Sequence, residues 1–148
     1  MASPGLVPEL CCSDFERSLF FYTQELGFQI AYQRPEDKFA YLEREGSRIM
    51  LEQLDIGRKW ITGELMHPFG RGINFQMQVS DAEKLYTSLQ KAGYNFFLAL
   101  EDKWYRKNST YVGNRQFIIQ DPDGYLLRFA QDLGVKTSQE ITRMEQAP

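Results

Sequence analysis

The chain has 148 residues, 43% of them hydrophobic and 25% charged, with a formal net charge of −3. A chain of that length buries a core without staples, and its weak acidic excess excludes the basic stripe of a nucleic-acid binder. No apolar run reaches the ~18 residues of a membrane span and no basic-then-apolar leader is visible, so we expect a cytoplasmic protein with no membrane or nucleic-acid partner.

In chain order, a strand is expected over Leu6–Leu10. It leads into Cys11 and Cys12, the only two cysteines. Adjacent cysteines rarely reach disulfide geometry, and no zinc-type spacing is present. Ser13-Asp14-Phe15-Glu16 has the Ser-x-x-Glu form of a capping box. The stripe Phe15, Leu19, Tyr22, Leu26 then marks one buried helix face, and Gly27 suits the left-handed residue after a helix end. Strands follow at Gln29–Arg34, Phe39–Arg44 and Arg48–Gln53, with a tight turn at Glu45-Gly46. The stretch from Asp55 to Arg71 reads as a loop, with Gly57, Gly63, Pro68 and Gly70. It carries Trp60, for which core or dimer packing is the plainer role, and His67, the only histidine.

The pattern then repeats. A strand at Ile73–Val79 precedes Ser80-Asp81-Ala82-Glu83, a second capping-box sequence. The stripe Ala82, Leu85, Leu89, Ala92 follows, and Gly93 closes the helix. Strands are expected at Asn95–Leu100, Gln116–Gln120 and Tyr125–Gln131, with a turn at Asp121-Pro122-Asp123-Gly124. Asp102–Asn114 reads as a long loop, and Trp104 and Tyr105 in it could stack on a flat ligand or anchor the loop. The tail from Thr137 is polar, and either mobile or a short surface helix.

These elements predict an α+β fold of two tandem βαβββ modules, about residues 5–54 and 72–132 of a single domain. A linking loop of about 55–71 joins them, and a polar tail of about 133–148 follows. Curled mixed sheets would surround a concave cavity. The strands alternate: Ile49 and Leu51 oppose Arg48, Met50 and Glu52; Phe75, Met77 and Val79 oppose Asn74, Gln76 and Gln78; Leu127 and Phe129 oppose Leu126, Arg128 and Ala130. The apolar faces cover the helices. The other faces, with Glu9, Arg48, Glu52, Asn74, Gln76 and Arg128, form either a pocket or an ordinary wet sheet face. Phe39 and Tyr41 could face the same way. Arg48 and Arg128 could orient an anion, and Glu9 and Glu52 could meet a cation; the simpler alternative is that these charges pair with one another. Aromatic residues, 14% of the chain, serve core packing or a ligand pocket. No nucleophile–base pair or phosphate loop is recognisable.

Val7-Pro8-Glu9-Leu10, the run Asp14 to Tyr22, Leu26-Gly27-Phe28 and the run Gln116 to Tyr125 carry a resemblance. The patterns FYxxxLGF and DPDGxxxxF resemble the two modules of the vicinal oxygen chelate (glyoxalase-fold) superfamily. Within it the chain is similar to the bleomycin resistance protein group. That resemblance implies a cytoplasmic homodimer that sequesters a bulky, partly aromatic and possibly cationic ligand, such as a bleomycin-like glycopeptide antibiotic, in crevices at the dimer interface. The superfamily's metal positions fall on Val7, Met50, Asn74 and Arg128, which make a poor ligand set, so no metal or other cofactor is expected. The alternative is an isomerase, lyase or dioxygenase using displaced ligands such as Glu9 and Glu52, or a metal-free acid–base pair. The expected ligand-binding residues are Trp104, Tyr105, Trp60, Glu9, Arg48, Met50, Glu52, Asn74 and Arg128, and no catalytic residue is assigned.

Overall fold

A computed structural model describes residues 4–56 and 60–147. Gly57 of the linking loop falls outside the described residues. The chain forms two compact units: one runs to Phe75 and takes in Gln120–Leu127, and the other comprises Gln76–Ile119 with Arg128 onward.

The first unit begins with β1 (Glu9–Cys12), α1 (Phe15–Phe20, continued by a wider π-turn over Phe21–Glu25), β2 (Gln29–Arg34), β3 (Phe39–Arg44) and β4 (Ser47–Gln53). Its four-stranded sheet has the order β1-β4-β3-β2. β1 runs parallel to β4, and the other pairings are antiparallel. The sheet is therefore mixed, with the helix making the crossover that a parallel pair requires. β1 starts later than the expected Leu6. Pro8 has no N–H to give a ladder and joins only through its carbonyl, which accepts from the Met50 amide at 2.9 Å. Ile49 and Leu51 are buried beneath Phe15, Tyr22 and Leu26 on the helix side.

The second unit holds most of β5 (Asn74–Gln78), then α2 (Ala82–Lys91), β6 (Leu98–Lys107), β7 (Thr110–Gln120), β8 (Leu126–Thr137) and α3 (Ser138–Gln146). The second sheet has the order β5-β8-β7-β6. Phe117 stacks on Phe129 with ring centres 5.4 Å apart, and both are fully buried with Leu127, Leu89 and Ile119. The polar tail is a helix: Thr137 and Glu140 form a reciprocal capping box, and Ile141 is its buried anchor.

Both repeated helices are capped alike, one residue from where the sequence pattern puts the cap. Asp14 and Asp81, not Ser13 and Ser80, accept from the amides of Arg17 and Lys84. A carboxylate at the N-cap also complements the helix dipole. A glutamine on each module's last strand completes the cap. Gln53 accepts from the Phe15 amide and Gln131 from the Ala82 amide, each at 3.0 Å. Gly27 and Gly93 end the helices at φ +78° and +90°.

The expected long loop at Asp102–Asn114 is instead a hairpin. β6 and β7 pair from Glu101↔Gln116 to Lys107↔Thr110, around a turn at Asn108-Ser109. Trp104 lies flat across Gly113, where an added Cβ would meet the indole at 2.7 Å, and the Lys136 ammonium sits 5.1 Å from the ring centre. Gly113→Ala is expected to push the indole off the sheet and cost about 1–3 kcal/mol, read as a lower urea midpoint; an unchanged midpoint would show that the ring moves freely.

Candidate functional site

The first sheet presents one continuous non-helical face. Register places Glu9 beside Met50 and Cys11 beside Glu52 across the parallel pair, with Tyr41 opposite Met50 and Phe39 opposite Glu52. Tyr32 and Arg34 of β2 lie opposite Tyr41 and Phe39. Directly paired residues share a face, so acids and rings converge there. Tyr32 stacks on Tyr41 with ring centres 5.1 Å apart and contacts Phe39 at 5.9 Å. The Arg34 guanidinium lies 4.0 Å from the Phe39 ring centre and 6.0 Å from that of Tyr32, while an ion pair with Asp37 at 3.3 Å steadies it. These rings therefore already hold a cation against their faces.

Among the described residues, Glu9 and Glu52 form no arginine ion pair within 4 Å, and the Arg34 charge only partly offsets what raises Glu52. Burial raises the Glu52 pKa first, a hydrogen bond with the Glu9 carboxyl adds to it, and the Glu9 charge follows. Ionising Glu52 beside another carboxyl is costly, so Glu52 keeps its proton to higher pH than an ordinary glutamate. Arg48 instead forms an ion pair with Glu43 at 3.1 Å. The expected charge pairing across the face is thus corrected: cross-strand register gives Arg48 a nearer acid. Cys11 lies opposite Glu52 on the same face as Glu9, and burial, then Glu52 and Glu9, push its thiol up. It stays a protonated thiol at neutral pH and is no nucleophile.

On the second sheet, Tyr105 and Trp104 are consecutive strand residues and point to opposite faces. They cannot stack together on one ligand, which corrects the paired-aromatic expectation. Tyr105 lies on the face of Gln116, whose amide donates to the Tyr105 hydroxyl at 2.6 Å and to Glu101 at 3.3 Å. Trp104 belongs to the opposite face, near the Arg115–Asp102 ion pair at 2.8 Å. Arg128 is half-buried on β8, and Asn74 is exposed at the start of β5. Trp60 is 74% exposed in the linking stretch, so of the core or dimer packing expected for it the chain itself supplies no core packing. His67 is exposed as well.

The superfamily's metal does not fit these residues. Val7 precedes β1 and has no donor atom. Met50, at the centre of the first face, offers only a soft thioether. Arg128 brings its own positive charge. Among the described residues, no three His, Cys, Asp or Glu side chains gather as a metal-binding group. No described helix is long and apolar enough to cross a membrane.

A model of the Glyoxalase/Bleomycin resistance protein/Dioxygenase superfamily matches residues 6–129. The chain belongs to this superfamily. Its fold is similar to that of TioX from Micromonospora sp. ML1, with 21% identity and a TM-score of 0.70 over 88% of this chain and 100% of that one. It is also similar to lactoylglutathione lyase from Agrobacterium tumefaciens, with 14% identity and a TM-score of 0.58 over 88% and 95%. A superfamily member from Vibrio splendidus 12B01 is 39% identical over 84% of this chain and 95% of that one, with a TM-score of 0.40. No curated protein matches the chain.

The residues that sequence reasoning missed on the first face are Tyr32, Arg34 and Cys11. Tyr32 and Arg34 stood in a strand with no obvious apolar side, and the bulge between Ile30 and Tyr32 breaks the strand's alternation, leaving only Tyr32-Gln33-Arg34 as a signal.

Proposed function

We propose that the chain binds a bulky ligand with an aromatic part and a cationic part on the first sheet's open face, and that it holds this ligand rather than transforming it. The observation that carries the reading is the juxtaposition of the Tyr32–Tyr41–Phe39 ring cluster with the neighbouring Glu9 and Glu52 carboxyls on one sheet face. The rings offer π-faces that already accept a guanidinium, and the carboxyl pair offers negative charge that a cation would release from self-repulsion. A poor metal set and a protonated Cys11 favour storage over turnover. Sequestration of a bleomycin-like glycopeptide, by a homodimer, is the specific form of this reading. It rests on kinship with the superfamily.

The test is calorimetric titration with metal-free and with copper-loaded bleomycin, alongside metal analysis and light scattering of the purified protein. Saturable binding near one ligand per chain in a particle of twice the chain mass is expected. Trp104→Ala is expected to leave the affinity within about twofold, because Trp104 lies on the other sheet and on its other face. Absence of binding would remove the glycopeptide reading. Stoichiometric metal would replace storage with the enzyme reading, in which Glu9 and Glu52 become the acid–base or ligand pair.

A further inference from the structure

The second sheet carries an unmet hydrogen-bonding pair that the ring-and-carboxyl face does not explain. Gln116 is 3% exposed. Its amide nitrogen is fully used by Tyr105 and Glu101, yet its Oε1 is buried and has no hydrogen-bond partner among the described residues. On the neighbouring strand, Arg128 Nε is also buried without one. The two share a face: Phe117 and Phe129 stack on the core side, so their sequence neighbours Gln116 and Arg128 project from the opposite side. Flipping the Gln116 amide does not cure the defect, since it would turn an acceptor towards Glu101, itself an acceptor. An orphaned buried donor and an orphaned buried acceptor on one face of neighbouring strands each cost stability unless something satisfies them.

We infer that Gln116 and Arg128 form a site for a small carboxylate bearing a hydrogen-bond donor next to its carboxyl group. The carboxylate accepts from Arg128 Nε and neutralises a guanidinium that has no ion-pair partner among the described residues. The adjacent O–H or N–H donates to Gln116 Oε1. A water molecule could join the two atoms but would leave the charge unanswered. Glu101 accepts from the Gln116 amide nitrogen at 3.3 Å, on the side of that amide away from Oε1, and so lies towards the ligand's donor rather than its carboxylate. Tyr105 acts at one remove: its hydroxyl receives the Gln116 amide and so fixes Oε1 in the accepting orientation.

The experiment is an NMR titration of the ¹⁵N-labelled protein with acetate, glycolate, N-acetylglycine and the neutral analogue glycolamide. It follows the Arg128 Nε–H resonance, assigned by its loss in Arg128→Gln, and the Gln116 side-chain amide. Glycolate or N-acetylglycine is expected to saturate both signals about tenfold more tightly than acetate, the worth of one added hydrogen bond. Preference for glycolate assigns hydroxy acids, and preference for N-acetylglycine assigns amido acids. Gln116→Leu is expected to bring the preferred ligand down to the level of acetate. Equal affinity for acetate, equal affinity for glycolamide, or an unmoved Arg128 resonance would each overturn the inference. The comparison among ligands uses the unmodified protein and so stands even where Gln116→Leu folds poorly.

Discussion

Replacing Asp121 by alanine is expected to remove on the order of 3–5 kcal/mol of folding stability, a large share of the ~5–15 kcal/mol of a typical domain. Asp121 is 5% exposed. One carboxyl oxygen accepts from the amides of Asp123 and Tyr125 at 2.9 and 3.0 Å, and the other from the Tyr22 hydroxyl at 2.8 Å. Alanine leaves all three donors orphaned in the first unit. Asparagine keeps the acceptor for the two amides and can donate to the Tyr22 oxygen, since a phenol does both, so Asp121→Asn should cost far less. It should also change the pH dependence. Burial is the main cause that pushes Asp121 up to about 6, against the lowering effect of its three hydrogen bonds. A raised acid favours the folded state where it is protonated. Its stabilisation is full below about pH 4, is lost as pH rises through about 6, and amounts to roughly 3 kcal/mol for a shift of this size. Urea unfolding at intervals from pH 4 to 7 should show wild type losing stability relative to Asp121→Asn across that window. A constant difference between the two would mean that Asp121 is already ionised throughout.

The same turn explains which parts of the fold were legible. Asp-Pro-Asp-Gly declared itself because each residue has a local task. Asp121 collects nearby amides, and Gly124 takes φ +97° against Pro68, where an added Cβ would come within 2.4 Å. The helices were legible for similar local reasons, apart from the shift of the cap from serine to aspartate. The β6–β7 hairpin was not. Its sequence from Asp102 to Asn114 is polar on both sides, and alternation is informative only where one face is buried. The one hint, a tryptophan facing a glycine, requires knowing the register first. Likewise, alternation put Glu9, Arg48 and Glu52 on one face, but their partners depend on the parallel pairing of β1 with β4, some forty residues apart in the chain. Sequence alone paired acid with base; register gave Arg48 to Glu43 and left the two acids together.

That pairing of acids sets the largest functional effect. Tyr41→Ala is expected to weaken binding of an aromatic cation by about 30–100-fold, the scale of a central aromatic contact. It removes one ring of the Tyr32–Tyr41 stack and leaves the buried Ile49 and Leu51 side of the sheet intact. Glu52→Gln tests the charge independently. In the ligand-free protein the raised Glu52 holds its proton to higher pH than an ordinary glutamate, and ionising it places two negative charges together. A bound cation relieves that repulsion, so affinity should rise with pH as Glu52 loses its proton and fall as pH drops through the raised Glu52 value. Calorimetry at pH 5 and pH 7.5 should therefore show proton release on binding to wild type at the lower pH. Glu52→Gln should bind more weakly at pH 7.5, with an affinity nearly independent of pH. If the variant keeps both the wild-type affinity and its pH slope, the carboxyl pair takes no part in binding and the rings act alone; if Tyr41→Ala also binds normally, the ligand lies elsewhere on the chain.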